Sequence, residues 1–88
     1  MVDGIVRVNV TTGNDDDQAM QAAGNFASTL DAVWIVRNFS VAYIGEDVHE
    51  ITAEVTAPSI EFTSDARIIK EAMGFTGLPT DALRLNVK

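Results

Sequence analysis

The chain has 88 residues, of which 13 are acidic and 6 are basic, so its formal net charge at pH 7 is -7. A surface this negative repels phosphate backbones and anionic lipid, and direct binding to nucleic acid or to a membrane is therefore not among the functions we expect. Because the sequence contains no Cys, disulfides, thiolate catalysis and thiolate zinc sites are excluded.

The size and the N-terminus indicate one soluble domain. A chain of 88 residues is long enough for one hydrophobic core and too short for two. Met1-Val2-Asp3-Gly4 is not a basic and then apolar leader, and no stretch approaches the roughly 20 apolar residues of a membrane span. We therefore expect a single domain over residues 1–88, located in the cytoplasm.

The first two predicted elements are a strand and a helix. Residues 5–11 alternate between apolar and polar side chains, and this period of two predicts a strand with one buried face. After a short break, apolar residues recur at helical spacing through Leu30, which predicts an amphipathic helix. Asp15, Asp16 and Asp17 lie at its start, where carboxylates are stabilised by the positive end of the helix dipole.

The next two elements form a hairpin. Residues 32–44 are rich in β-branched and aromatic side chains and contain neither Gly nor Pro, which predicts one long strand. The turn Gly45-Glu46-Asp47 follows. Residues 48–57 then alternate again, so the two strands should pair through this turn.

A second helix and a fourth strand complete the chain. Thr63 and Ser64 predict a helix N-terminus, and Gly74 predicts its end. After a loop that contains Gly77, residues 83–88 alternate apolar and polar side chains, as expected for a strand.

The order of elements, βαββαβ, predicts a two-layer α+β sandwich. Two split βαβ units with right-handed crossovers give a four-stranded antiparallel sheet in the order 4-1-3-2, with two helices on one face. This architecture resembles the ferredoxin-like fold over nearly the whole chain. Because that fold hosts many unrelated functions, the resemblance implies a shape and no activity.

Two groups of side chains follow from this topology. The core between sheet and helices should contain Phe26, Leu30, Ile51, Val55, Ile69 and Leu85. On the open face of the sheet, Arg7 and Glu54 lie on neighbouring central strands. We expect them to form an exposed cross-strand pair, with Arg84 nearby.

Carboxylates gather at one end of the predicted sandwich. The members of this acidic pole are Asp15, Asp16, Asp17, Glu46, Asp47 and Asp81. We expect no metal site there, because the run of three Asp lacks the alternating ligands, Gly turn and distal Glu of a calcium loop. Helix capping explains that run, and the pole is then either a docking site for a basic partner or a solvated surface.

Signals of catalysis are absent from the sequence. His49 is its only histidine, no Gly-x-Ser-x-Gly elbow accompanies it, and no Gly-rich phosphate loop occurs. An RNA-recognition domain shares this topology but needs aromatic side chains where this chain has Arg7, Asn9, Thr52 and Glu54. We therefore expect no enzymatic activity, no cofactor and no metal.

The second strand is the most informative segment, because it is an edge strand with apolar side chains on both faces. One face carries Val33, Ile35, Phe39, Val41 and Tyr43, and the other, uncovered face carries Trp34, Val36, Ala42 and Ile44. Such an edge favours association, with Trp34, Val36 and Ile44 as the candidate interaction residues. The alternative is a bulge near Arg37 to Ser40 that turns most of these side chains inward.

These features predict a non-enzymatic protein-interaction or self-assembling module. It would be a small structural or regulatory subunit, or a component of a mobile element, whose partner is a second copy or another protein. A first alternative is a regulatory domain that resembles ACT-like domains and binds a small ligand at the loop 74–80. A second alternative, based on charge alone, is an acidic inhibitor that imitates nucleic acid.

Overall fold

The computed structural model describes residues 2–13, 15–58 and 62–87, and only the backbone of residues 62–66 and 82–87. The elements are β1 (Val2–Thr11), α1 (Asp16–Asp31), β2 (Ile35–Gly45), β3 (Val48–Ala57), α2 (Phe62–Gly74) and β4 (Thr80–Val87). They form a four-stranded antiparallel sheet in the order β2-β3-β1-β4, which confirms the predicted α+β fold and strand order. No helix in the described part of the chain is long and apolar enough to cross a membrane.

The core lies between the sheet and the helices. The central strands β1 and β3 direct every second side chain towards it, as a period of two requires. The fully buried members of these two rows are Val6, Val8, Val10, Ile51, Ala53 and Val55. The predicted core residues Phe26, Leu30 and Ile69 pack against the same cluster, whereas the Leu85 side chain lies outside the described residues.

Local hydrogen bonds fix both ends of α1. Asp15 is the N-cap, and its carboxylate accepts a hydrogen bond from the backbone N–H of Gln18 at 3.1 Å, which confirms the predicted capping role. At the other end, the N–H groups of Val33 and Trp34 both donate to the Leu30 carbonyl. These residues close the helix, so β2 begins at Ile35 and the predicted start at residue 32 is wrong.

The expected ion pair on the open sheet face is absent from the structure. Arg7 lies opposite Thr52, and Glu54 lies opposite Ile5, so Arg7 and Glu54 are diagonal neighbours. Such diagonal positions are about 7 to 8 Å apart, and an exposed ion pair gains too little to draw the side chains together. The ion pairs between described side chains involve neither residue. Only the backbone of Arg84, which lies opposite Arg7, is described.

Replacing Leu30 with Ala should lower the free energy of unfolding by about 2 to 5 kcal/mol, because it opens a cavity in a packed core. Leu30 is completely buried, whereas Met20 on the same helix is 55% exposed. The matched control Met20→Ala should change stability by less than about 0.5 kcal/mol. Urea unfolding followed by circular dichroism measures both, and equal small losses would show that Leu30 does not pack against the sheet.

Replacing Gly24 with Ala should raise the free energy of unfolding by about 0.5 to 1 kcal/mol, because Gly is the costlier residue in a helix interior. Gly24 lies inside α1, and an added Cβ would meet no atom within 4 Å. The control is Gly77→Ala, which should destabilise because Gly77 has a φ of 75°. Urea unfolding followed by circular dichroism measures both changes. A loss of stability for Gly24→Ala would contradict the open surroundings of this residue.

Candidate interaction surface

β2 is an edge strand, and β3 is its neighbour in the sheet. Within the described part of the chain, its outer row of backbone N–H and C=O groups faces no other strand. With 11 residues, β2 is also long compared with the usual five or six. Exposed edges of this kind are templates for the addition of another strand.

Bulges decide which β2 side chains face the helices. The β2–β3 register shifts between Val36 and Asn38 and again between Tyr43 and Gly45. Between the shifts, residues 38–43 pair regularly with β3. In this stretch the side chains that lie opposite core-facing residues of β3 are Phe39, Val41 and Tyr43, and those on the open face are Asn38, Ser40 and Ala42. The bulge that the sequence left as the alternative is therefore present, at Arg37.

Two of the candidate interaction residues lie elsewhere than expected. Trp34 is only 5% exposed and belongs to the core, because it precedes the strand and its N–H bonds to the Leu30 carbonyl at 2.8 Å. Val36 lies opposite Val55 on the helix side and packs against the core, so its expected place on the uncovered face is also wrong. Ile44 is 53% exposed, as expected. Its part in binding stays a prediction.

The apolar surface of β2 is instead formed by residues that α1 leaves uncovered. Phe39 and Tyr43 face the helix layer, yet they are 38% and 47% exposed. Ile35, which is 55% exposed, lies opposite Thr56 on the open face. An open groove of about 350 Å³ runs between α1 and β2 and is lined by Ala27, Ser28, Asp31, Val36, Arg37, Asn38 and Phe39. At the start of β2, the Val36 N–H donates to the Asp31 carboxylate at 3.1 Å. Along residues 38–43, the edge combines a backbone that no described strand covers with exposed apolar side chains.

Backbone hydrogen bonds join the three loops that carry the residues of the acidic pole, whose part in binding stays a prediction. The N–H groups of Thr12 and Gly13 donate to the Asp47 carbonyl at 2.9 and 3.2 Å, and the N–H of Thr11 donates to the Pro79 carbonyl at 2.9 Å. These bonds bring the three loops together, and all six carboxylates are exposed. Among the described residues, no three His, Asp or Glu side chains are arranged to hold a metal ion.

His49 is the centre of a hydrogen-bonded chain at this pole. The ring is buried, its Nε2 lies 2.8 Å from the Asp16 carboxylate, and its Nδ1 lies 2.6 Å from the Thr12 hydroxyl. Because the carboxylate can only accept, Nε2 donates, and in the neutral ring Nδ1 accepts from Thr12. The order resembles a catalytic triad, but the Thr12 side chain is itself buried. We therefore assign a structural role to this hydrogen-bonded series of Asp16, His49 and Thr12, because it joins α1 to the hairpin.

Sequence reasoning found His49 but not its partners. The available signal was the alternation of side chains along each strand. His49 lies two residues before Ile51, and Thr12 lies two residues after Val10, so both continue the buried rows. The contact itself joins residues 37 positions apart, and only the fold brings them together. The Tyr43 ring lies against the His49 ring, with centroids 5.2 Å apart, and so connects the pole to the end of β2.

Comparison with known proteins supports the fold. The structure is similar to a solved ACT domain protein from Streptococcus pneumoniae, with a TM-score of 0.51 and 16% sequence identity over 99% of this chain and 88% of that one. At this identity the similarity shows a shared fold and nothing about activity. No family model matches the sequence, and no curated protein matches it.

Replacing Thr12 with Val should lower the free energy of unfolding by about 1 to 3 kcal/mol, because it leaves the buried His49 Nδ1 without a partner. The matched control is Thr29→Val, where an exposed hydroxyl donates to the Asn25 carbonyl at 2.9 Å. That loss should stay within about 0.5 kcal/mol. Urea unfolding at pH 7 compares the two, and equal losses would remove the special role of the His49 chain.

Proposed function

We propose that this chain is a protein-interaction module that binds a further β-strand along the free edge of β2. One observation carries the proposal: within the described residues, the same strand offers an edge that no other strand covers and exposed apolar side chains. In strand addition, backbone hydrogen bonds supply affinity and alternate side chains supply specificity.

Burial of the exposed apolar side chains of β2 would contribute favourable free energy to the binding of a further strand. Ile35, Phe39, Tyr43 and Ile44 are between 38% and 55% exposed. At about 25 cal/mol per Å² of apolar area, hiding several such side chains supplies several kcal/mol. This favourable free energy offsets the entropic cost of association. The backbone hydrogen bonds of an added strand contribute further favourable free energy.

β2 also lacks most of the devices that keep an edge monomeric. Soluble proteins protect exposed edges with Lys, Pro, bulges or short strands. Residues 35–45 contain neither Lys nor Pro, and Arg37 is their one charged residue. The bulges lie at the two ends of β2 and leave residues 38–43 regular. This regular stretch supports strand addition.

A regulatory domain that binds a small ligand is a second candidate, favoured by the similarity in fold to the ACT domain protein. The ligand would occupy the groove between α1 and β2, where Asp31 and Arg37 offer opposite charges beside the apolar Phe39. In the loop 74–80, where the sequence placed the ligand, the Thr76 hydroxyl bonds to the carbonyls of Met73 and Leu78 and is therefore not free for a ligand. A rise in Tm with fractionated metabolites, lost in Arg37→Gln, would favour this candidate.

A labelled peptide with the sequence of residues 35–45 should bind the dilute wild-type protein and raise the fluorescence anisotropy of the label. Phe39→Lys should weaken binding at least tenfold, because it places a charge in the seam. The matched control is Phe75→Lys, in the loop before β4, where the side chain is 66% exposed. That variant should bind as the wild type does. No binding by the dilute, monomeric wild type even at high peptide concentration would remove the proposal.

A further inference from the structure

We infer that the strand added at β2 is β2 of a second copy of this chain, paired antiparallel about a two-fold axis at Val41. The inference rests on the proposed function and adds the identity of the partner and the register. The pairing would join two four-stranded sheets into one of eight strands. Three independent features of the described residues select this arrangement.

The first feature is the aromatic pair on the helix side. With the axis at Val41, Phe39 of one copy lies opposite Tyr43 of the other, because each is two residues from the axis. Both face the helix layer, since they lie opposite Ala53 and His49 of β3. Directly opposed aromatic side chains are favourable cross-strand neighbours. An axis on a residue also keeps the helices of both copies on the same face, whereas a shift of the pairing by one residue would invert one copy.

The second feature is charge. Arg37 lies at the bulge before the regular stretch 38–43 and would stand beside the turn 45–47 of the other copy, near its Glu46 and Asp47. Among the described side chains of its own copy, Arg37 forms one ion pair, a 4.0 Å contact with Asp3, and both side chains are about half exposed. An exposed pair at that distance is weak and easily exchanged. The pairing would therefore give each end of the seam a guanidinium and a carboxylate from different copies.

The third feature is the position of the acidic poles. Each copy carries its six exposed carboxylates at the end of the sandwich where β2 finishes. Antiparallel pairing places the two poles at opposite ends of the seam. At about 3.3 Å per residue, the 11 residues of β2 separate them by roughly 30 Å or more. That distance is several times the Debye length of about 8 Å at physiological salt. A parallel pairing would put the poles side by side.

Charge reversal tests the partner. Arg37→Glu and Glu46→Arg should each weaken the dimer at least tenfold in sedimentation equilibrium, and an equimolar mixture of the two variants should restore it, because every cross-copy contact is again between opposite charges. Glu46→Arg raises the net charge of -7 by two units, so general repulsion alone predicts tighter association. The control Arg67→Glu, an exposed residue of α2, should change the Kd less than twofold at 150 mM salt.

A disulfide tests the register. Since the sequence contains no Cys, Val41→Cys provides one thiol per copy, and at the axis the two would meet at cross-strand distance. Mild oxidation should give a covalent dimer. The control Ile35→Cys, an exposed residue at the start of β2, should stay monomeric under the same conditions, because the two thiols would lie at opposite ends of the seam.

The outcomes separate this inference from the proposed function. A wild type that binds the peptide of residues 35–45 but stays monomeric, or a mixture that fails to restore the dimer, overturns the second copy or its register and leaves strand addition intact. Failure of both peptide binding and dimerisation removes the function as well. Circular dichroism of each variant, matched to the wild type, excludes unfolding as the cause of a loss.

Discussion

The structure depends on the burial of one complete face of the two central strands. The alternate side chains of β1 and β3 are fully buried, so α1 and α2 must lie above them. α1 can approach the sheet because its buried face is mostly Ala, with Phe26 and Leu30 filling the remaining space. The part of α1 beside β2 carries the small residues Ala27 and Ser28, which do not reach across the edge strand. The groove and the exposed row of β2 are thus consequences of how the core is covered.

The sequence predicted the fold best in strands whose apolar side chains all lie on one face. β1 and β3 alternate cleanly, so their buried residues, their pairing and the sheet order followed from the pattern, and β3 runs over the predicted residues. β2 is apolar in both phases, and a period of two then says nothing about which side chain faces the core. The bulge at Arg37 resolves that ambiguity, and it lies in the range 37–40 that sequence reasoning left as the alternative. The pattern alone did not decide between the bulge and a regular strand.

Trp34 illustrates a second limit, which is competition between neighbouring elements. Its segment has strand propensity, but the last carbonyl groups of α1 need hydrogen-bond donors, and the nearest N–H groups belong to residues 32–34. Closing the helix with them ends the strand early and places the indole in the core. A residue expected on the binding surface therefore stabilises the fold. Tyr43 and Phe39, which sequence reasoning placed on the covered face, form the exposed surface instead.

The acidic pole limits how copies of this chain can meet. Its loops are joined by backbone hydrogen bonds to the Asp47 carbonyl and by the contact of His49 with Asp16, and these contacts hold the carboxylates close together. Two such poles repel each other at short range, and this disfavours end-to-end contacts through the pole and parallel contacts along β2. A side-by-side antiparallel contact avoids this repulsion. The six carboxylates of the pole, which provide no binding site by themselves, therefore favour antiparallel over parallel addition of a second copy along β2.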